Sequence, residues 1–142
     1  MALALLARRE HSEKELSRKL RTKNFSANEI QIVITQLTQE NLLSNNRFIE
    51  NYIHHRRAKG YGPLHIRAEL LERGITENLI EAYLNSKDNE WFMSAQKVWQ
   101  KRFKSQLPED FKKRAQQMRF LQSRGFTFEQ IENIFLQAGI NS

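Results

Sequence analysis

The chain has no cysteine and only two prolines and five glycines in 142 residues. Without cysteine there is no disulfide framework, thiolate metal site or cysteine nucleophile, and nothing points to an oxidising compartment. Aspartate occurs only at Asp88 and Asp110, which leaves no aspartate cluster for a metal. The opening apolar run, Met1 to Ala7, is followed by Arg8 and Arg9. It is too short for a signal peptide, which places its charges first, and far too short to span a bilayer. A cytoplasmic protein without a membrane segment is the reading that follows. Glycine and proline form no linker, and no stretch keeps a period of two, so no sheet is expected. With 39% hydrophobic residues, the chain can bury about two thirds of the surface its unfolded form exposes.

What is present is one phrase written three times. It runs Leu20, Lys23, Asn24, Phe25, Ser26, Ile30; then Leu70, Arg73, Gly74, Ile75, Thr76, Ile80; then Leu121, Arg124, Gly125, Phe126, Thr127, Ile131. Each part has a mechanical role: a basic last turn ends a helix, Asn or Gly takes the left-handed conformation beyond it, and a hydroxyl caps the next helix. A repeat of this length indicates a helical array that presents an extended surface to a partner.

Apolar spacings of three and four fill in nine helices, grouped as three-helix repeats over residues 1–44, 45–88 and 89–142. In the first, Leu3 and Leu6 open a short helix, and Ser12 with Glu15, then Ser26 with Glu29, form capping boxes. Ile30, Val33, Ile34 and Leu37 make the stripe of its third helix. In the second, Phe48, Ile49, Tyr52 and Ile53 face inward, Pro63 opens the middle helix and Thr76 the last. In the third, Phe92, Ala95 and Trp99 lie on the first helix, which is expected to end at Pro108. Phe111, Ala115, Met118 and Leu121 form the next stripe, and Thr127 with Gln130 caps the final helix, which buries Ile131, Ile134 and Phe135. Trp91 and Trp99 share a face, but Phe92 competes with Trp91 for the buried side, and exposure of one tryptophan is expected. Gln117 stands where the first two repeats have Leu16 and Ile66, so the third repeat is expected to pack differently.

Positive charge is sorted by element. Residues 8–23 hold seven Lys or Arg against three Glu, residues 54–73 five against two, and residues 97–124 nine against two acids. The proposed third helices, 27–40, 77–84 and 128–138, hold no Lys or Arg. The first two blocks read equally well as solvated faces, whereas the third carries an excess that repels itself unless a polyanion or acidic protein face lies against it.

Catalysis finds no support. His54 and His55 are adjacent and point about 100° apart on a helix. His11 and His65 lie at helix starts without a cysteine or aspartate cluster to support them, so neither a metal site nor a cofactor is expected. Gly60 and Gly62 are not a phosphate loop, because no strand precedes them and no Gly-Lys-Ser/Thr follows. No nucleophile, base and orienting group assemble, and no catalytic residue is assigned.

The run Lys59, Gly60, Tyr61, Gly62, Pro63, then Ile66, Glu69, Leu70, Arg73, Gly74 and Ile75 is distinctive. Together with Arg8, Arg9, Glu10, His11, Ser12, Glu15 and Leu16, and with Phe120, Leu121, Arg124, Gly125 and Phe126, it resembles the RecX family, along essentially the whole chain. That resemblance implies an all-α, elongated and curved molecule of three tandem three-helix repeats. It also implies binding in the groove of the RecA filament on single-stranded DNA, with suppression of ATPase, strand exchange and coprotease activity; a monomer is expected. The chain starts almost at its first helix, which leaves a preceding segment open.

The residues expected to make contact are Arg56, Arg57, Lys59, Tyr61 and Arg67 in the middle repeat, and Lys101, Arg102, Lys104, Lys112, Lys113, Arg114 and Arg119 in the last. Tyr61 reads equally well as packing under its own turn, and Arg73 and Arg124 as serving helix ends. The alternative is a helical repeat protein that binds nucleic acid alone, without sequence preference. Acidic third helices speak against reading a major groove, and basic first and second helices would neutralise phosphates without reading bases.

Overall fold

A computed structural model describes residues 1–141, of which the side chains beyond Gly139 are left aside. Among the described residues there are nine α-helices and no strand: α1 Ala2–Arg8, α2 Glu13–Thr22, α3 Ala27–Gln39, α4 Asn45–Ala58, α5 Pro63–Glu72, α6 Glu77–Tyr83, α7 Asn89–Phe103, α8 Phe111–Ser123 and α9 Phe128–Asn141. None is long and apolar enough to cross a membrane.

The repeated phrase is a repeated hydrogen-bond pattern. After α2, the amides of Asn24 and Phe25 donate to the carbonyls of Arg21 and Leu20; after α5, those of Gly74 and Ile75 donate to Leu71 and Leu70. After α8, those of Gly125 and Phe126 donate to Gln122 and Leu121. These are Schellman closures, which need a left-handed residue. Gly74 (φ 84°) and Gly125 (φ 97°) supply it without steric cost, and Asn24 (φ 69°) is the tolerated substitute. The same closure ends α4, where Gly60 and Tyr61 donate to Arg57 and Arg56. The caps form as the sequence indicates: Ser12 with Glu15 and Ser26 with Glu29 are reciprocal boxes. Thr127 with Gln130 is a third, at 2.9 and 3.2 Å.

The chain divides into two compact units, one of residues 1–53 and 69–83, the other of residues 54–68 and 84–142. In the first, Leu16, Leu20, Ile30, Ile34, Leu37 and Leu43 form a core against which Leu5, Leu6 and Val33 pack. Leu3 stays outside it, 60% exposed. The turn after α5 is held by the start of α2: the Ser12 hydroxyl donates to the Arg73 carbonyl at 2.8 Å, and Arg18 reaches the Glu72 carbonyl at 3.2 Å. In the second unit, the turn after α8 is held by the start of α5. Gly62 N donates to the Arg124 carbonyl at 2.6 Å and Leu64 N to the Gly125 carbonyl at 2.9 Å. A Cβ on Gly62 would stand 2.6 Å from the Gly125 carbonyl, so only glycine permits this approach. Each unit therefore uses the opening of one helix to satisfy the carbonyls at the end of another.

Three expectations are corrected. Trp91 and Trp99 are both buried, at 3% and 2% exposure, and Phe92 is only half-buried. Arg57 lies 4.2 Å over the Trp91 ring and closes it from solvent. Phe111 leaves the expected stripe and is 86% exposed, because it is the first residue of α8, before the turn that packs. The helix expected to reach Pro108 stops at Phe103, since Lys104 takes a left-handed conformation (φ 55°).

Gln117 explains why the third repeat differs. It is buried and accepts from the Trp99 indole N–H at 2.8 Å, while its amide donates to the Gln106 carbonyl at 3.1 Å. The corresponding position of the second repeat is Ile66, which carries no polar side chain. An aliphatic residue at 117 would leave the buried indole unpaired, at about 1–3 kcal/mol.

His11 is also buried, its Nδ1 facing the Arg9 carbonyl at 3.1 Å and its Nε2 facing the Lys19 ammonium at 2.8 Å. Nδ1–H therefore donates and Nε2 accepts, which is the neutral ring. Burial lowers its pKa below 6.5, and the charges of Arg9 and Lys19 act in the same direction, against the Arg9 carbonyl and Glu15. The unfolded chain then binds the proton more readily, so this contribution is complete above pH 6.5 and is lost as pH falls below it. Thermal melts from pH 7.5 down to about 5 should show a falling Tm that flattens in His11→Gln; parallel curves for the two proteins would show that His11 does not carry the effect.

Candidate functional site

Four segments of the second unit converge on one cleft of about 630 Å³. The end of α4 contributes His54, Arg57 and Ala58, and the turn after it Lys59 and Gly60. Helix α7 contributes Ser94, Lys97, Val98, Lys101 and Arg102, and the end of α8 Phe120 and Arg124. Six lining residues are Lys or Arg, and no carboxylate lines the cleft. The apolar part of the lining comes from Val98, Ala58 and Phe120.

Local sequence explains the arrangement. The left-handed Gly60 lets the chain reverse against Val98, with its Cβ position 3.4 Å from a Val98 methyl. Arg57 is fixed to α7 by three contacts: its Nε donates to Ser94 Oγ at 2.9 Å, it pairs with Glu90 at 3.1 Å, and it stacks on Trp91. Arg124 is brought in by the seam, since its carbonyl is the acceptor of Gly62 N. Its guanidinium then lies 5.0 Å from the Tyr61 ring and 5.3 Å from Phe120, with Arg102 5.2 Å from Phe120. Lys97 and Lys101 fall four apart on α7 and so share a face. Lys59, Lys97, Lys101, Arg102 and Arg124 form no ion pair among the described residues, and Arg57 is the one cleft cation that does.

Of the residues singled out in the sequence, Arg57, Lys59, Lys101 and Arg102 meet in this cleft. Tyr61 lies beside it in a stack, with His65 parallel at 4.6 Å and Arg56 4.0 Å over its ring. Lys104 and Lys113 line a second hollow of about 270 Å³ with Arg102 and Glu109. There Lys113 pairs with Glu109 at 2.9 Å, which raises its pKa. Arg114 is bound to Glu132 at 2.7 Å and lies 4.4 Å over Phe135, so it neutralises α9 rather than facing outward. Lys112 and Arg119 are exposed on α8, and Arg67 is half-buried on α5. Lys97, Arg124, His54 and Phe120 join the cleft without having been singled out. The i, i+4 pairing of Lys97 with Lys101 was the available signal.

Three family models match in succession: RecX, first three-helix domain, over residues 1–37; RecX, second three-helix domain, over 44–84; and RecX, third three-helix domain, over 88–135. A regulatory protein RecX of Pseudomonas entomophila is 43% identical over 130 residues, covering 92% of this chain and 84% of its own length. One of Pseudomonas fluorescens Pf-5 is 38% identical over 140 residues, covering 99% and 90%. The crystal structure of RecX from Lactobacillus salivarius matches with a TM-score of 0.80 at 21% identity, covering 98% of this chain and 92% of that one. At that identity the likeness concerns the fold.

Unpaired cations crowded around one cleft destabilise the unit at low ionic strength. Replacing Lys97 and Lys101 by Gln should therefore leave the circular dichroism spectrum unchanged and raise Tm at low salt, with the gain shrinking in about 0.5 M salt. A lowered Tm would show that these side chains have structural partners.

Proposed function

The chain belongs to the RecX family of regulatory proteins, and on that premise we propose that it is a negative regulator of RecA. It acts in the cytoplasm as a monomer, binds in the groove of the RecA filament on single-stranded DNA, and restrains ATP hydrolysis, strand exchange, coprotease activity and filament growth. Its three repeats divide at residues 1–44, 45–88 and 89–142, and it needs neither metal nor cofactor. The observation that carries the reading is the carboxylate-free cleft, in which five of the six cations form no ion pair among the described residues. Such a cleft suits an anionic assembly, which relieves the repulsion among its cations.

The mechanism is steric and electrostatic. The cleft cations, with Arg56, Tyr61 and Arg67 of the middle repeat and Lys104, Lys112, Lys113 and Arg119 of the last, hold the filament. Phosphates attract them without any reading of bases, because α3, α6 and α9 carry no Lys or Arg with which to read a groove. Bridging neighbouring recombinase protomers hinders the rearrangements that ATP turnover requires, occludes the groove where a repressor client docks, and blocks extension at a growing end.

Binding to bare single-stranded DNA and to preformed filament should be compared across a salt series. Tighter binding to filament at every salt concentration is expected, with a slope on bare DNA of about −0.7 per neutralised phosphate. Equal affinity for the two would favour a protein that binds nucleic acid alone.

A further inference from the structure

The cleft differs from a surface stripe in two respects. Its volume, about 630 Å³, falls in the range of small-ligand pockets, roughly 300–1,000 Å³. Its lining also combines two chemistries. Lys59, Lys97 and Lys101 offer ammonium groups with no ion pair among the described residues. Arg102 and Arg124 instead lie 5.2 and 5.3 Å from the Phe120 ring, so guanidinium planes and an aromatic ring are gathered at one wall. Ammonium groups hold phosphate oxygens as point charges, and guanidinium planes and aromatic rings stack heterocycles.

We propose that this cleft binds a free nucleoside triphosphate, with its phosphates on Lys59, Lys97 and Lys101 and its base against Arg102, Arg124 and Phe120. A single strand carries one charge per nucleotide, spread along its length, whereas a triphosphate concentrates its charge within reach of several cations at once. A lining that is part cationic and part aromatic matches a nucleotide better than an acidic peptide, whose carboxylates need no stacking wall. The inference rests on reading the cleft as the anion-contacting face and adds a regulator to it: nucleotide in the cleft competes with filament for the same cations.

The test uses the full chain, without recombinase, and follows the fluorescence anisotropy of a ribose-labelled fluorescent ATP. Competitors are unlabelled ATP, inorganic tripolyphosphate and a short oligothymidylate. Saturable binding is expected, displaced by ATP at lower concentration than by tripolyphosphate. Lys97→Ala with Lys101→Ala should weaken binding about tenfold or more. Phe120→Leu should weaken ATP while leaving tripolyphosphate unchanged. The proposal is overturned by absence of saturable binding up to about 5 mM ATP, a weak affinity by any measure. It is equally overturned by unchanged affinity in the double lysine variant, or by displacement with oligothymidylate alone. That last result would identify the ligand as strand phosphate and leave the filament reading intact. Failure of the filament reading would appear separately, in the salt series with recombinase present.

Discussion

Two backbone hydrogen bonds, from Gly62 to the Arg124 carbonyl and from Leu64 to the Gly125 carbonyl, are the constraint on which the cleft depends. Carbonyls at the end of a helix and amides at the start of another are the groups each helix cannot satisfy by itself. Joining the two disposes of both deficits at once, but only if the backbones approach closely. The sequence meets that demand with glycine at 62 and 125, where a side chain on either would collide with the other segment. In the other unit a hydroxyl does the same work from a greater distance, as Ser12 donates to the Arg73 carbonyl. The two solutions occupy comparable places in successive repeats.

From that seam the charge distribution follows. Arg124 ends α8, and fixing its carbonyl directs its guanidinium toward Tyr61 and Phe120. The α4 turn that carries Lys59 is set against Val98 of α7, and Arg57 is tied to the same helix through Ser94, Glu90 and Trp91. Part of the excess positive charge of residues 97–124 is thereby gathered in the cleft, through Lys97, Lys101, Arg102 and Arg124, while Lys113 is neutralised by Glu109 and Arg114 by Glu132. Glu132 of the last helix balances its neighbour in this way, and the cations left over are those of the cleft together with Lys104, Lys112 and Arg119.

How much of this was legible in the sequence depends on range. The Schellman closures and capping boxes were readable because each is decided within six residues by backbone chemistry: a left-handed Gly74 or Gly125, a hydroxyl and a carboxyl three apart. Nine helices and their repetition followed from the same local rules. The cleft was only half readable, because its lining comes from residues 54–60, 94–102 and 120–124, and nothing local joins them. Arg57, Lys59, Lys101 and Arg102 were found by charge density, which also pointed to Arg114, a residue paired with Glu132. Trp91 was misjudged because the residue that covers it, Arg57, lies far away in sequence. Lys104 ended α7 early through a backbone conformation that its side chain does not advertise.

The most direct measurement is native-state amide hydrogen exchange at Leu64. As the second residue of α5 it has no acceptor within its own helix, and such amides ordinarily exchange quickly. The account predicts protection there close to that of the buried core, with Lys112, at the same place in α8, exchanging fast as the internal reference. Rapid exchange at Leu64, matching Lys112, would show that the seam is not closed in solution and would contradict the account.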